Sequence, residues 1–249
     1  MSKQARIYQL ETTNHCNARC DYCPHGKMTR EKGFVSMATV DKVVSNCLET
    51  NQKYIALHHM GEPLLHPNIG SIIWKFTRDN ISTELSTNGM LLKEKGMEIL
   101  YNKVSLVRIA VDYFYQTEGF LQIVENFLFD AVNFPDTKIR IHSVVGNDLS
   151  RFEKFMVFDN IVLENKVFDN WGGQVDGDSK LTPGNTCYFQ EYNYVVALWD
   201  GTLVTCCLDF DGSYPLRNIA DIAKITNKPC KLCKTCSKLQ FADGGGWTK

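Results

Sequence analysis

Apolar and polar positions follow two alternating periods along the first two thirds of the chain: short apolar runs of strand length, separated by segments in which apolar residues recur every three or four positions. The first run, Ile7 to Thr12, predicts a strand. The series continues with a helix over about Met37 to Thr50, a strand over Tyr54 to Met60, a helix over about Ile69 to Asp79 and a strand over Ile81 to Leu85. A helix at about Lys93 to Asn102, a strand at Ser105 to Asp112 and a longer helix at about Thr117 to Asn133 come next. A strand at Lys138 to Val145, a short helix near Leu149 to Val157 and a strand at Asn160 to Glu164 complete it. Strands alternating with helices predict a parallel α/β sheet, and the mostly apolar strands fit a sheet covered by helices.

The rhythm changes near residue 169. Asn170-Trp171-Gly172-Gly173 leads into a polar stretch with Gly and Pro that reaches Gly184, so two units are expected, 1–168 and 169–249. Within the second, Tyr194 to Trp199 and Thr202 to Cys206 flank Asp200-Gly201, a two-residue hairpin signal. That hairpin brings Cys187 and Cys206 within range of one site.

Composition narrows the class. The 249 residues are 44% hydrophobic and 22% charged, the balance of a globular chain large enough for a full core. With 27 basic against 28 acidic residues the net charge is −1, which leaves no electrostatic footprint for nucleic acid. Met1 to Arg6 has no signal-type apolar core and no run approaches membrane-spanning length, so no membrane association and a cytoplasmic location are expected. In a reducing compartment ten cysteines, nine of them near the two ends, are metal ligands before they are disulfides.

The sharpest chemical signal follows the first strand. Cys16, Cys20 and Cys23 are spaced C-x3-C-x2-C. Three thiolates can hold three irons of a [4Fe-4S] cluster and leave the fourth open to a small molecule. Zinc is the competing reading, but a structural zinc site closes with four ligands, and His15 and His25 lie too near the cysteines in sequence to be the usual distant pair. Gly61-Glu62-Pro63 follows the second strand, and Ser86-Thr87-Asn88-Gly89 follows the third.

The cysteine spacing, its place after a first strand and the aromatic Tyr22 before the third cysteine resemble the radical S-adenosylmethionine (radical SAM) superfamily. The resemblance implies a partial (β/α)6 TIM-like barrel, a [4Fe-4S] cluster on Cys16, Cys20 and Cys23, and SAM chelated to the open iron. It also implies that Gly61, Glu62 and Pro63 meet the SAM amino group, that Ser86 and Asn88 meet ribose and methionine, and that Tyr22 and Asp112 share their rim. Reductive cleavage of SAM then needs an external one-electron reductant such as flavodoxin or ferredoxin.

The C-terminal cysteines resemble the SPASM extension in its short form, twitch, which holds one auxiliary [4Fe-4S] cluster. The resemblance assigns Cys187, Cys206, Cys233 and Cys236, with Cys230 as first alternative and Cys207 as second. A zinc knuckle is the competing reading of the Cys-x2-Cys pairs. Short-form enzymes of the 2-deoxy-scyllo-inosamine dehydrogenase type oxidise a hydroxyl-bearing carbon, which implies a small-molecule sugar or cyclitol as substrate. Such chemistry needs a base, for which His142, Asp169, Glu191 and Asp209 are candidates. Trp171 stands where those enzymes carry a substrate-binding arginine, so the same substrate is not implied. A peptide-modifying radical SAM enzyme and an Fe-S electron carrier are the alternatives; the first normally has a leader-binding domain, for which no room is seen before Cys16. Cys47 is expected in the core, one of His58 and His59 inside the barrel, and Trp247 in a Gly-rich tail.

Overall fold

The computed structural model describes residues 4–177, 187–234 and 236. The tail containing Trp247 and residues 178–186, which include Gly184, lie outside them. Nine strands form a single sheet among the described residues. These are β1 (Arg6–Leu10), β2 (Tyr54–Ala56), β3 (Ser82–Thr87), β4 (Leu106–Ala110), β5 (Lys138–Ser143), β6 (Ile161–Asn165), β7 (Tyr194–Ala197), β8 (Thr202–Val204) and β9 (Pro215–Asn218). Their order is β6-β5-β4-β3-β2-β1-β7-β8-β9. The first six are parallel. β7 joins β1 in parallel, and β8 and β9 follow antiparallel. The α/β architecture with six parallel strands is as expected, and the sheet is open, ending on β6 and β9.

Helices α1 (Met37–Glu49), α2 (Ile69–Thr77), α3 (Leu92–Tyr101) and α4 (Glu118–Ala131) fill the crossovers, and a fifth, α5 (Tyr188–Glu191), precedes β7. α1 shows why these segments fold locally. The Ser36 hydroxyl accepts from the Thr39 amide at 3.0 Å and caps its start. Val40, Val43, Val44 and Cys47 then fall on one buried stripe at helical spacing.

Right-handed crossovers between strands in sequential order put the helices on one side of the sheet. Leu85, Val107, Ile109, Ile139 and Ile141 face them and share a core with Ile99, Phe120, Val124 and Phe127. Alternation sends Glu84, Ser86, Arg108, Arg140, His142 and Glu164 to the opposite, inner face.

Three elements differ from expectation. β2 ends at Ala56 instead of Met60, because the chain turns there to bring Gly61 against the loop after β1. The segment near Leu149 to Val157 is a 3-10 helix over Ser150–Phe155. β9 carries no apolar alternation and begins with Pro215, which an edge strand tolerates.

Candidate active site

The cysteine loop leaves the C-terminal end of β1 and is closed at its neck. Asn14 donates from Nδ2 to the Glu31 carbonyl at 2.8 Å and accepts from the Gly33 amide at 2.8 Å. Thr13 donates to the Gly33 carbonyl at 2.7 Å, and Val35 N–H donates to the Thr12 carbonyl at 2.9 Å. Cys16, Cys20 and Cys23 stand on this loop, each half-buried. Burial raises all three thiol pKa values, that of Cys23 to about 11, and the neighbouring cysteines add to the rise in Cys20 and Cys23. Such a set is ionised only when a cation replaces its protons. Among the described residues no three His, Cys, Asp or Glu side chains gather around a single-ion position, and the fit to a cluster rests on donor type and number.

Gly61 locks the end of β2 onto this loop. Its φ is +91°, and a Cβ there would lie 2.6 Å from the carbonyl oxygens of Thr13 and His15. The next amide, Glu62 N–H, donates to the His15 carbonyl at 2.7 Å. The Glu62 carboxylate turns inward: Oε1 accepts from Leu64 N–H at 3.0 Å and Thr87 O–H at 2.7 Å, and Oε2 from Asn88 N–H at 2.7 Å. Three of about four acceptor positions are filled, which leaves one for an ammonium. Pro63 opens the short 3-10 turn that follows. Asn88 in turn donates to Asn17 Oδ1 at 2.7 Å and reaches Cys16 Sγ at 4.0 Å. The two motifs and the cysteine loop therefore form one hydrogen-bonded unit.

Asp112, just past β4, accepts from Ser143 O–H at 2.5 Å and from Val144 N–H at 3.0 Å, tying β4 to β5. The Tyr22 hydroxyl lies between Cys20 and Asp112, and burial followed by those two acidic neighbours pushes its pKa far up. Tyr22 is thus a neutral donor at the rim. Ser86 is half-buried on the inner face, in register with Arg108.

Below the rim, sequence reasoning missed a charged lattice. Arg108 donates to Glu84 at 2.8 Å and to Glu164 at 3.2 Å, Arg140 donates to Glu164 at 2.7 Å, and Tyr54 O–H donates to Glu84 at 2.5 Å. Burial alone raises the Glu84 pKa, but His58 and Arg108 outweigh it and hold the carboxyl below its usual value. A signal was available: charged residues at alternate positions in otherwise apolar strands.

In the C-terminal region Cys187, Cys206, Cys233 and Cys236 line one cavity, together with Phe189, Gln190, Thr205, Leu208 and Leu232. Burial pushes the Cys206 pKa well up, with Cys207, Cys236 and Cys187 adding to it. Cys207 packs against the apolar Val196, Leu198 and Val204. The Cys230 and Cys233 sulfurs are 4.0 Å apart. Four thiols around an apolar recess fit an auxiliary cluster in donor type and number.

The four base candidates are scattered. His142 is buried on β5, where burial lowers its pKa to about 2. Asp169 accepts from Trp171 N–H at 3.0 Å. Asp209 is buried and closes its own turn by accepting from Ser213 and Tyr214 amides at 2.8 and 2.9 Å, and burial raises its pKa. Glu191 is exposed at the end of α5. Trp171 adopts φ +54°, followed by Gly172 and Gly173 at +68° and +84°. This loop meets both cysteine regions: Lys27 donates to the Gln174 carbonyl at 2.9 Å, and Gln174 Nε2 donates to the Leu208 carbonyl at 2.9 Å.

Residues 10–130 match the family profile of the radical SAM superfamily. GTP 3',8-cyclase of Clostridium perfringens is 25% identical over 171 residues, covering 64% of this chain and 52% of that protein. The chain spans about half the length of the curated relatives it matches. Among solved structures, BtrN in complex with AdoMet and 2-DOIA superposes with a TM-score of 0.65 at 20% identity, covering 90% of this chain and 84% of that one. Streptococcus suis SuiB bound to the precursor peptide SuiA gives 0.60 at 11%, covering 94% and 70%. Both are likenesses of fold. The matched profile spans somewhat less than half of the chain, and the family it describes implies SAM and one [4Fe-4S] cluster. No helix among the described residues is long and apolar enough to cross a membrane.

Proposed function

We propose that the chain dehydrogenates a hydroxyl-bearing carbon of a sugar, cyclitol or similar small molecule. Cys16, Cys20 and Cys23 would hold a first cluster and Cys187, Cys206, Cys233 and Cys236 a second, and with SAM these groups would supply hydrogen-atom abstraction and one-electron oxidation while the hydroxyl proton passes to solvent or a base. The observation that carries the reading is the four-cysteine cavity in residues 169–249, joined through Gln174 and Lys27 to the loop of the first three cysteines. The fold likeness to BtrN, whose complex holds AdoMet and 2-DOIA, supports it. Glu62 and Asn88 hold the rim where SAM binds, and Tyr22 fixes Asp112 beside the cluster loop. Peptide modification is the second reading, with the SuiB likeness behind it.

Anaerobic reconstitution is expected to load about eight irons per chain, as two [4Fe-4S] clusters. Replacing Cys16, Cys20 and Cys23 with Ala should abolish reductive SAM cleavage, whereas replacing Cys187, Cys233 and Cys236 with Ala should leave part of it. Zinc in place of iron, or wild-type cleavage in the first variant, ends the proposal.

A further inference from the structure

The inner face of the sheet holds two imidazoles that the reading above does not use. His58 follows β2 and His142 lies on β5, and His58 is among the electrostatic neighbours of His142. The Nδ1 atom of each is buried and has no hydrogen-bond partner. His142 is only 3% exposed. His66 shows what a structural histidine looks like in this fold. At 2% exposure its Nε2 meets the Val35 carbonyl at 3.1 Å and its Nδ1 accepts from Asn68 N–H at 3.1 Å, so both nitrogens are satisfied. A buried polar atom left unpaired is costly, and such exceptions call for a ligand or a function.

The surroundings define what the ligand is. The His58 ring also meets the Glu84 main-chain carbonyl, and a neutral imidazole that donates from one nitrogen keeps a lone pair on the other. Burial, ahead of the nearby Lys166 and Arg108, keeps His142 uncharged at neutral pH, and burial does the same for His58 against the opposing pull of Glu84. The charged groups are balanced: Arg108, Arg140 and Lys166 stand against Glu84, Glu164 and Asp112, and Arg108 and Arg140 are bonded to Glu84 and Glu164. Ala110, the register partner of His142, contributes only a methyl group beside the ring. Ser86 adds a hydroxyl to the same face, in register with Arg108.

We propose that His58 and His142 form the substrate-reading pair on the inner face of the sheet, hydrogen-bonding through Nδ1 to hydroxyl groups of an uncharged, polyhydroxylated ring. This rests on the dehydrogenase reading and names its substrate class. Each hydrogen bond replaces an unpaired buried atom, so its loss is expected to weaken binding about tenfold.

The test uses the full, anaerobically reconstituted chain with 15N-labelled histidine. Myo-inositol is the neutral probe, with myo-inositol 1-phosphate and scyllo-inosamine as anionic and cationic comparators. Myo-inositol should shift the Nδ1 resonances of His58 and His142 but not His66, and bind about tenfold tighter than either comparator. In His142→Leu, myo-inositol affinity should fall about tenfold while the thermal midpoint stays or rises, since an unsatisfied atom has been removed. A lowered midpoint with unchanged affinity would show a structural role and overturn the proposal. So would absent shifts, or tighter binding of the phosphate or the amine. Shifts and binding without any ketone product would sink the dehydrogenase reading alone, whereas equal ketone formation by wild type and His142→Leu would sink the histidine pair alone.

Discussion

Glu62→Gln separates two effects that the buried carboxylate combines. Its oxygens receive Leu64 N–H, Thr87 O–H and Asn88 N–H, and no donor is shared. A glutamine has one carbonyl and one amino group in the same plane. With the carbonyl toward Leu64 and Thr87, the amino group faces the Asn88 amide, donor against donor. The opposite orientation loses two bonds instead of one. The better choice leaves one buried N–H unsatisfied, at a cost of about 1–3 kcal/mol.

Against this stands the cost of burying the charge. Desolvation, only partly offset by the Asn88, Leu64 and Thr87 hydrogen bonds, raises the Glu62 pKa from 4.5 to about 7. The folded state therefore binds the proton more tightly than the unfolded chain between those values, and stability contributed by Glu62 is present below about 4.5 and lost as pH rises through about 7. At about 1.4 kcal/mol for each pH unit in that interval, the loss is on the order of 3 kcal/mol. Glutamine does not titrate. The variant should therefore be clearly weaker than wild type near pH 5, and its deficit should shrink, vanish or reverse by pH 8. Urea midpoints of both proteins under anaerobic conditions at pH 5, 6, 7 and 8 give the difference, in which titrations common to both cancel. A deficit that stays constant across this range would refute the account of Glu62.

Arg108→Met removes the partner of Glu84, whose side chain is 2% exposed, and should cost about 3–5 kcal/mol by urea unfolding. The double change Arg108→Met with Glu84→Met should recover much of that loss, because no uncompensated charge remains. Gly61→Ala places a Cβ 2.6 Å from two carbonyl oxygens at a φ of +91°, so the cysteine loop must shift; SAM affinity measured by equilibrium dialysis should fall by at least about tenfold.

The placement of these motifs at strand ends is legible in the sequence for identifiable reasons. Cys16, Cys20 and Cys23, Gly61 to Pro63 and Ser86 to Gly89 each follow an apolar run, and parallel strands joined by helices bring such run ends to one rim. The Asp200-Gly201 turn places β7 against β8 because two-residue hairpins need those residue types. What stayed hidden depends on register. That Glu84 meets Arg108, or that His142 lies opposite Ala110, follows from pairing offsets that no single strand reveals. The inward turn of Glu62 toward Thr87 and Asn88 is a contact between consecutive strand ends, and its sequence looks like an ordinary turn. β9 was missed because it is exposed on an edge and buries little apolar surface.

The two cysteine regions are held in fixed relation by side chains, independently of anything they bind. Glu11, fully buried just past β1, forms a paired ion bond with Arg30 from the cysteine loop. It also accepts from Met60 N–H beside the Gly-Glu-Pro segment and from Trp199 N–H in the hairpin, both at 3.3 Å. Arg30 continues the brace by donating from Nε to the Phe210 carbonyl at 2.9 Å, while Asp211 accepts from Thr29 N–H and O–H at 2.6 Å. Burial raises the Glu11 pKa even with Arg30 alongside, so the carboxylate depends on its partner to stay ionised. Losing one member of such a buried pair typically costs several kcal/mol, far more than an exposed ion pair contributes. The brace therefore works as a stiff joint between the loop of Cys16, Cys20 and Cys23 and the hairpin carrying Cys206. The dehydrogenation proposed above divides hydrogen removal and electron acceptance between two sites and would need a constant separation between them, which one carboxylate, one guanidinium and the backbone they hold are placed to set.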